Sequence, residues 1–389
     1  MFMNLEFIKS LFLVHKEPKL YHRYITNNHI APLLKTLNAL VKIDVIGKSV
    51  LHKDIFSIRI GYGKKRILMW SQMHGNESTT TKAIFDVLNT FTDSQSRLKY
   101  ILEHCTLCII PILNPDGAKA YTRVNANNVD LNRDAQALTQ PESILLKNVF
   151  NDFKPHYCFN LHGQRTIFSA GIFNKPATVS FLAPAQDKAC TITKNRKIAM
   201  EIIVKMNDIL QLAIPNQVGI YDDAFNLNCV GDTFQSQNVP TILFEAGHYA
   251  NDYPRETTRF YMYVSLISAL DYISKNDITG HKYEPYLQIP ENKKLFYDVI
   301  IRDAKVGHSD ALQDIGILFK ERLVNGLVND CIDFMPKIEK IEHLSNFYAH
   351  KEINANRLLV LDHNYMPVQI HYENDFVIIN NEKIALKSK

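Results

Sequence analysis

The sequence predicts an α/β protein, in which a mixed, mostly parallel sheet is covered by helices on both faces and is followed by a small β-rich C-terminal domain. Three observations predict this fold class. Short apolar runs alternate with helical stretches over the first three quarters of the chain, which is the α/β pattern. Most of these runs are continuously apolar, as in strands covered on both faces. After a polar segment at 281–294, apolar runs recur without clear helices between them.

The first predicted strands differ in their patterns. Residues 55–60 alternate apolar and polar side chains, which indicates a half-buried strand, whereas 66–73 form a continuous apolar run. The stretch 78–91 places its apolar residues on one helical stripe, and Ser78 or Thr79 would cap that helix. The sequence therefore predicts an outer strand, an inner strand and a helix in that order.

The same alternation continues along the chain. We predict strands at 105–113, 155–162 and 240–247, and helices at 143–153, 196–212 and 256–274. Asn114–Gly117 follows the first of these strands and reads as a turn. The C-terminal β-rich runs lie at 295–302, 357–362 and 376–380. A chain of 389 residues is long enough for two domains, and we predict them at 1–284 and 285–389.

Composition excludes several classes of protein. Hydrophobic residues make up 46% and charged residues 22%, as in folded globular proteins. The net charge is +4 and no run of Lys and Arg occurs, so we expect no nucleic-acid partner. No apolar stretch reaches the ~18 residues of a membrane span, so we expect no membrane partner.

The cysteines and the N-terminal segment predict a cytoplasmic protein. The six cysteines are sparse and irregularly spaced, and the N-terminal segment has no continuous apolar region or cleavage site of a secretory signal. Cys105 and Cys108 form a CxxC motif inside an apolar run. A buried strand explains this pair better than a redox or metal site.

Candidate functional residues follow the predicted inner strands. His74 and Glu77 come just after the run 66–73, and His162 closes the run 155–162. Glu245 lies at the end of the run 240–247. Ligands of open α/β sheets bind at the carboxyl ends of the strands. We therefore expect these four side chains to meet at one edge of the sheet.

The residue types at this edge fit a metal. His74, Glu77 and His162 would form a shell of two imidazoles and one carboxylate, which is a catalytic zinc site with an open position. Cobalt and manganese also suit such a shell. The HxxE spacing alone is weak, because His281 and Glu284 repeat it in the polar segment.

A loop at 114–134 supplies further polar groups. Arg123, Asn132 and Arg133 offer two guanidiniums and an amide, which bind carboxylates and stabilise oxyanions. Asp130 lies between them in sequence and could orient a metal-binding imidazole.

Four motifs in this order resemble a known family. HGNE at 74–77, NPDG…R…NANNVDLNRD at 114–134, NLHG at 160–163 and TILFEAGHY at 241–249 look like the zinc carboxypeptidases of the carboxypeptidase A type, the M14 metallopeptidases. The resemblance covers roughly half of the chain and implies a zinc-carboxypeptidase-like fold.

The resemblance assigns roles around the metal. It implies that His74, Glu77 and His162 bind one Zn²⁺ per chain, and that Asp130 hydrogen-bonds His74. It also implies that Glu245 is the general base, which takes a proton from the water that zinc activates.

The resemblance also assigns roles toward the substrate. Arg123 would stabilise the developing oxyanion, while Asn132 and Arg133 would hold the free carboxylate of the last residue of the substrate. The family uses a tyrosine between its third ligand and its base, and Tyr221 is the tyrosine in that interval. Asn128 stands where relatives often have glycine, and asparagine tolerates the left-handed conformation that such a loop needs.

Two enzymatic hypotheses follow. The first is a zinc-dependent metallocarboxypeptidase that hydrolyses the C-terminal bond of a peptide. The alternative is a zinc-dependent amidohydrolase, or deacylase, of N-acyl amino acids or a similar small molecule with a free carboxylate. A zinc protein without activity is disfavoured, because Glu245 and Arg123 are both present. The sequence leaves the oligomeric state and the side-chain preference open.

Overall fold

The computed structural model describes residues 3–37, 40–307, 311–324 and 331–387. The chain divides into two compact units, Met1–Gln164 with Ala177–Asn292 and Arg165–Pro176 with Lys293–Lys389. The second unit is therefore discontinuous in sequence. The division of the chain at residue 284 stays a prediction from composition.

The helices and strands of the described residues are as follows. The α-helices are α1 Leu5–His15, α2 Asn27–Leu34, α3 Thr79–Thr92, α4 Lys99–His104, α5 Pro115–Ala120, α6 Pro141–Phe153, α7 Lys194–Ala213, α8 Val230–Ser236 and α9 Glu256–Lys275. The strands are β1 Val41–Lys48, β2 Asp54–Ile60, β3 Lys65–Ser71, β4 Cys105–Ile110, β5 Tyr157–Gly163, β6 Ser169–Ala170, β7 Val179–Leu182, β8 Val218–Ile220, β9 Thr241–Ala246, β10 Asn292–Lys293, β11 Phe296–Lys305, β12 Leu312–Val324, β13 Cys331–Glu342, β14 Tyr348–Asn354, β15 Val360–Leu361, β16 Phe376–Ile379 and β17 Glu382–Ala385. Short 3₁₀ turns lie at Leu131–Arg133 and Glu284–Gln288.

The first unit is built on one large sheet. Among the described residues it has eight strands in the order β1-β2-β4-β3-β5-β9-β7-β8. The central neighbours β4, β3, β5 and β9 pair in parallel, and antiparallel pairs join β1 to β2, β2 to β4 and β7 to β9. The predicted α/β class with a mixed, mostly parallel sheet is confirmed.

Both faces of the sheet are covered by helices. In β3, Ile67 and Met69 pack into a core formed with α1, α3, α7 and α9, while Leu68 and Trp70 pack into a second core with α6 and α8. Successive side chains of a strand point to opposite faces. The continuous apolar run in β3 therefore follows from its position between two helical layers.

Two local details differ from the sequence prediction. Ser78 stands at the N-cap position of α3, but its hydroxyl donates to the Arg23 carbonyl at 2.5 Å instead of capping the helix. The Asn114–Gly117 turn continues into α5, where the Asn114 side chain accepts a hydrogen bond from the Gly117 N–H at 2.8 Å. In contrast, Cys108 lies buried in β4, as predicted.

The second unit is β-rich, as predicted. In its described residues a sheet of four strands has the order β13-β12-β11-β14, and a sheet of three has the order β15-β16-β17. Val299, Ile317 and Val377 belong to the apolar core of this unit. No helix in the described ranges of the chain is long and apolar enough to cross a membrane.

A buried ion pair joins α3 to α9. The Arg259 guanidinium donates to both carboxylate oxygens of Asp86, at 2.6 and 2.7 Å, and both side chains are 0% exposed. The same guanidinium donates to the main-chain carbonyls of Glu17 and Leu20. This pair thus connects α3, α9 and the segment after α1, and Glu256 Oε2 gives the Arg259 guanidinium a second, longer contact at 3.2 Å.

We expect Asp86→Ala to destabilise the first unit by about 3 kcal/mol, because the buried Arg259 guanidinium loses its two bonds to Asp86 and keeps only the longer contact with Glu256. Urea denaturation followed by the fluorescence of Trp70, the single tryptophan of the sequence, measures this change. Asp208→Ala is the matched control, since its partner Lys205 pairs with it at the surface and such a pair contributes less than about 1 kcal/mol. Equal effects of the two substitutions would contradict a structural role for the buried pair.

Candidate active site

The candidate site lies where three neighbouring parallel strands end. β3 and β9 flank β5 in the sheet, and all three run in the same direction. His162 near the end of β5 is the register partner of Glu245 near the end of β9. Partners in register point to the same face of a sheet. The strands therefore place an imidazole and a carboxylate side by side.

The loop after β3 supplies two more groups. Gln72 has a left-handed φ of 43°, and Gly75 packs so tightly on α5 that a Cβ atom would lie 2.0 Å from the Gly117 carbonyl carbon. Glycine is thus required at position 75 by the close approach of two backbones. This packing holds His74 and Glu77 over the end of the sheet.

Three side chains converge at this point. His74 Nδ1 lies 2.9 Å from Glu77 Oε1, His162 Nδ1 lies 3.0 Å from Glu77 Oε2, and the two Nδ1 atoms are 3.1 Å apart. Both imidazoles are 2% exposed. The Gly163 N–H also donates to Glu77 Oε2 at 3.0 Å, which fixes the carboxylate against β5.

Asp130 determines the tautomer of His74. His74 Nε2 lies 3.0 Å from Asp130 Oδ1, and an ionised carboxylate can only accept, so Nε2 carries the proton. In the neutral imidazole, Nδ1 then has the lone pair that a metal ion held between Glu77 and His162 would bind. A carboxylate behind a histidine is the usual support of a metal-binding imidazole.

The three groups fit a zinc ion. Four-coordinate zinc has bonds of about 2.0–2.2 Å to nitrogen and oxygen, so its ligand atoms lie roughly 3.3 Å from each other. The nitrogen and oxygen atoms of His74, Glu77 and His162 are grouped within 4.8 Å, and their three closest approaches are 2.9, 3.0 and 3.1 Å. Two imidazoles and one carboxylate also form a donor set of the kind found in catalytic zinc sites. These residues can therefore hold zinc.

The charges of this cluster are strongly coupled. Burial raises the pKa of Glu77, but His74 and His162 outweigh it and hold this pKa well below its usual range. Burial lowers the pKa of His74, but Glu77 and Asp130 more than offset it, and the net pKa is raised. The pKa of Asp130 falls despite its burial, because of the hydrogen bond and charge of His74 and the charge of Arg123. The cluster therefore holds two ionised carboxylates at neutral pH.

Glu245 has a different electrostatic environment. Burial, and then the charge of Glu77, raise the pKa of Glu245 well above its usual range, while Arg123 and Arg255 oppose this shift. Its Oε2 is buried and has no hydrogen-bond donor among the described residues. A carboxylate with a raised pKa and an available oxygen is suited to accept a proton.

The loop at 114–134 brings the predicted polar groups to the same place. Arg123 Nε donates to Asp130 Oδ2 at 3.0 Å, its Nη1 lies 3.5 Å from Glu77 Oε1, and the side chain is 48% exposed. Asn128 has a left-handed φ of 60°, as the loop prediction requires. Arg123 therefore joins the metal-binding cluster to the solvent side of the site.

Asn132 and Arg133 lie beside the N-terminus of α8. The Asn132 side-chain oxygen accepts from the Val230 N–H at 3.0 Å, which leaves the amide NH₂ as the group that can bind a ligand. Arg133 is exposed, and its Nη1 donates to the Asn132 carbonyl at 2.7 Å and to Cys229 Sγ at 3.1 Å. Both donors are thus oriented by contacts of their own.

Tyr221 follows β8 directly. Its N–H donates to the Phe181 carbonyl of β7 at 3.0 Å. Burial, and then the charges of Glu245 and Glu77, raise the pKa of Tyr221. The phenol is therefore within electrostatic range of both carboxylates and stays protonated at neutral pH.

Some features of the site have no clear sequence signal. Cys229 contacts Arg133, and the Arg255 guanidinium donates to carbonyls next to the strand ends, yet neither residue belongs to a motif. The second HxxE pair, His281 and Glu284, is exposed and does not belong to the metal-binding cluster of the described residues.

Comparisons with known proteins show similarity to zinc carboxypeptidases. Residues 27–169 match the model of the zinc carboxypeptidase family Peptidase_M14. Carboxypeptidase 2 of Trichophyton rubrum is 29% identical over 99 residues, which cover 25% of this chain and 18% of the relative. Carboxypeptidase SOL1 of Arabidopsis thaliana is 28% identical over 163 residues, which cover 36% of this chain and 33% of the relative. The matched part is thus a fifth to a third of the length of these relatives.

The fold is also similar to a solved structure. Carboxypeptidase A from Helicoverpa armigera superimposes with a TM-score of 0.53 at 16% identity, over 70% of this chain and 80% of that chain. The predicted resemblance to zinc carboxypeptidases is confirmed, and so is the zinc-carboxypeptidase-like fold.

We expect Asp130→Ala to weaken zinc binding by about 10- to 100-fold, because His74 loses the acceptor that fixes its tautomer and orientation. Competition with a chelator of known affinity measures the change. Asp134→Ala is the matched control, since that carboxylate binds the Thr139 and Gln140 N–H groups and does not contact His74. Unchanged zinc affinity in Asp130→Ala would contradict the orienting role.

Proposed function

We propose that this chain, whose residues 27–169 belong to the zinc carboxypeptidase family of metallopeptidase hydrolases, is a zinc-dependent metallocarboxypeptidase. It would hydrolyse the C-terminal peptide bond of a peptide with a free carboxylate. The proposal depends on one observation. His74, Glu77 and His162 converge, and Glu245 is the register partner of His162 on the neighbouring strand.

Glu245 and the three metal-binding residues would act together in the first step. Zinc held by His74, Glu77 and His162 would supply a Lewis acid that polarises the scissile carbonyl and lowers the pKa of water. Glu245 accepts the proton of the attacking water through its available Oε2 and delivers that proton to the leaving nitrogen.

Two groups assist at the carbonyl. The Arg123 guanidinium, anchored through Nε on Asp130, can direct its remaining N–H groups at the oxygen that becomes negative. The protonated phenol of Tyr221 can donate a further hydrogen bond near Glu245. Both groups act by hydrogen bonding and need no change in their own charge.

The substrate carboxylate is recognised by Asn132 and Arg133. The amide NH₂ of Asn132 and the exposed guanidinium of Arg133 are donors, and a guanidinium binds a carboxylate with two parallel hydrogen bonds. This recognition favours a terminal residue over an internal one. It supports a carboxypeptidase over an enzyme that cuts within a chain.

Glu245→Gln is expected to lower kcat by about 10²–10⁴-fold, because the amide cannot accept the proton of the attacking water. The variant should keep the zinc content of the wild type, one ion per chain by elemental analysis, because Glu245 is not among the three ligand residues. Wild-type turnover by a variant that holds zinc would contradict the assigned base.

The wild-type protein should hydrolyse a peptide with a free C-terminus and should not hydrolyse its C-terminally amidated twin. Arg133→Met should lower kcat/KM for the free peptide by roughly 10- to 100-fold through the loss of charged hydrogen bonds. Equal turnover of the two wild-type substrates would remove the carboxylate-binding role. A panel of N-acyl amino acids, assayed in parallel, tests the deacylase alternative. Rapid turnover of these compounds, together with no turnover of the peptides, would establish the deacylase instead.

A further inference from the structure

We propose that Arg255 is a positioning residue of this site, a role that rests on the proposed function. Its buried guanidinium bridges the main-chain ends of β5 and β9 and so fixes the position of Glu245 relative to the metal ligand His162. Arg255 lies ten residues after Glu245 and belongs to none of the motifs that the sequence displays.

The contacts of Arg255 are directed at the two strand ends. Its Nη1 donates to the Ala246 carbonyl and its Nη2 to the Gln164 carbonyl, both at 2.5 Å, and the residue is 2% exposed. Ala246 follows Glu245 directly, and Gln164 lies two residues after His162. One planar group therefore holds both segments that carry the reacting side chains.

The bridge lies where the strand pairing ends. The last backbone hydrogen bond between these segments runs from the Gln164 N–H to the Ala246 carbonyl at 2.9 Å. The register of β5 and β9 ends at the pair Gly163 and Ala246, and the next N–H, that of Gly247, donates to the Thr178 carbonyl on the β7 side. The guanidinium of Arg255 thus binds the two strands at the point where their pairing ends.

Neighbouring residues hold the main chain of Arg255 in place. Arg255 has a left-handed φ of 58°, and its N–H donates to the Asp252 carbonyl at 2.9 Å. The Asp252 carboxylate accepts from the Glu256 and Thr258 N–H groups at 2.8 Å, which caps α9. Lys82 Nζ donates to the Pro254 carbonyl at 3.0 Å. The side chain is therefore directed back to the sheet from a fixed backbone.

The positive charge of Arg255 also affects the pKa of Glu245. Burial and Glu77 raise the pKa of Glu245, and the positive charges of Arg123 and Arg255 oppose this. Arg123 is half exposed at the front of the site, whereas Arg255 is enclosed. A methionine of similar length would remove both the bridge and this charge, while a lysine would keep the charge and one hydrogen bond.

The test compares Arg255→Met and Arg255→Lys with the wild type. Three experiments are made: zinc affinity by chelator competition, kcat and KM on a peptide that the wild type cleaves, and thermal unfolding followed by Trp70 fluorescence. Arg302→Met is the matched control, because Arg302 also donates to two main-chain carbonyls, those of Leu344 and Phe347, but in the second unit.

A positioning role predicts a specific pattern. Arg255→Met should lower kcat and zinc affinity by about 10- to 100-fold each, with KM changed less than about threefold, because the substrate-binding groups are untouched. Arg255→Lys should recover part of both losses. Arg302→Met should leave kcat and zinc affinity at the wild-type values.

Two results would overturn the proposal. One is a folded Arg255→Lys or Arg255→Met protein with wild-type kcat and zinc affinity. The other is an equal loss of both quantities in Arg302→Met, which would mark a general effect of stability. If the wild type cleaves no peptide, the proposed function fails, and the zinc affinities of the same variants still decide whether Arg255 positions His162.

Discussion

The ionised carboxylate of Glu77 is the group on which the rest of the site depends. Its two oxygens face one imidazole each, and the Gly163 N–H holds it against β5. A carboxylate buried without partners would protonate or destabilise the fold. The loop after β3, the end of β5 and the Asp130 loop must therefore all be in place for this charge to persist. The same charge would favour a cation at the site, and it contributes to the raised pKa of Glu245.

The order of strands in the sheet makes this arrangement possible. β3, β5 and β9 are neighbours in space although the chain visits other elements between them. Parallel strands of one sheet end at the same edge, so residues separated by nearly a hundred positions arrive within hydrogen-bond distance. His74 and His162 are 88 positions apart and have Nδ1 atoms 3.1 Å from each other. The chain between β4 and α6 then supplies Asp130 and Arg123 from the side.

The sequence predicts the parts of the site that depend on strand ends and on local backbone. His162 and Glu245 are predictable because each lies near the end of an apolar run, and Asn128 adopts the left-handed conformation that its residue type tolerates. Contacts between distant segments carry no local signal. The Ser78 hydroxyl donates to the Arg23 carbonyl, so the predicted helix cap is wrong. The elements α1, α2 and β1 lie outside the predicted helices and strands. Arg255 escapes a motif search because its partners are main-chain carbonyls, which any residue can offer.

The discontinuous second unit has a consequence for the nascent chain. Residues 165–176 leave the ribosome well before their partners, since the Ile167 carbonyl accepts from Phe296 N–H, the Thr166 carbonyl from the ring of His350 and the Ile172 carbonyl from the hydroxyl of Tyr348. At about 5–20 residues per second, more than a hundred intervening residues take roughly ten seconds to synthesise. Throughout that interval, residues 165–176 between β5 and β7 have none of these three hydrogen bonds. The order of translation therefore leaves residues 165–176 of the second unit without these partners until β11 and β14 have been synthesised.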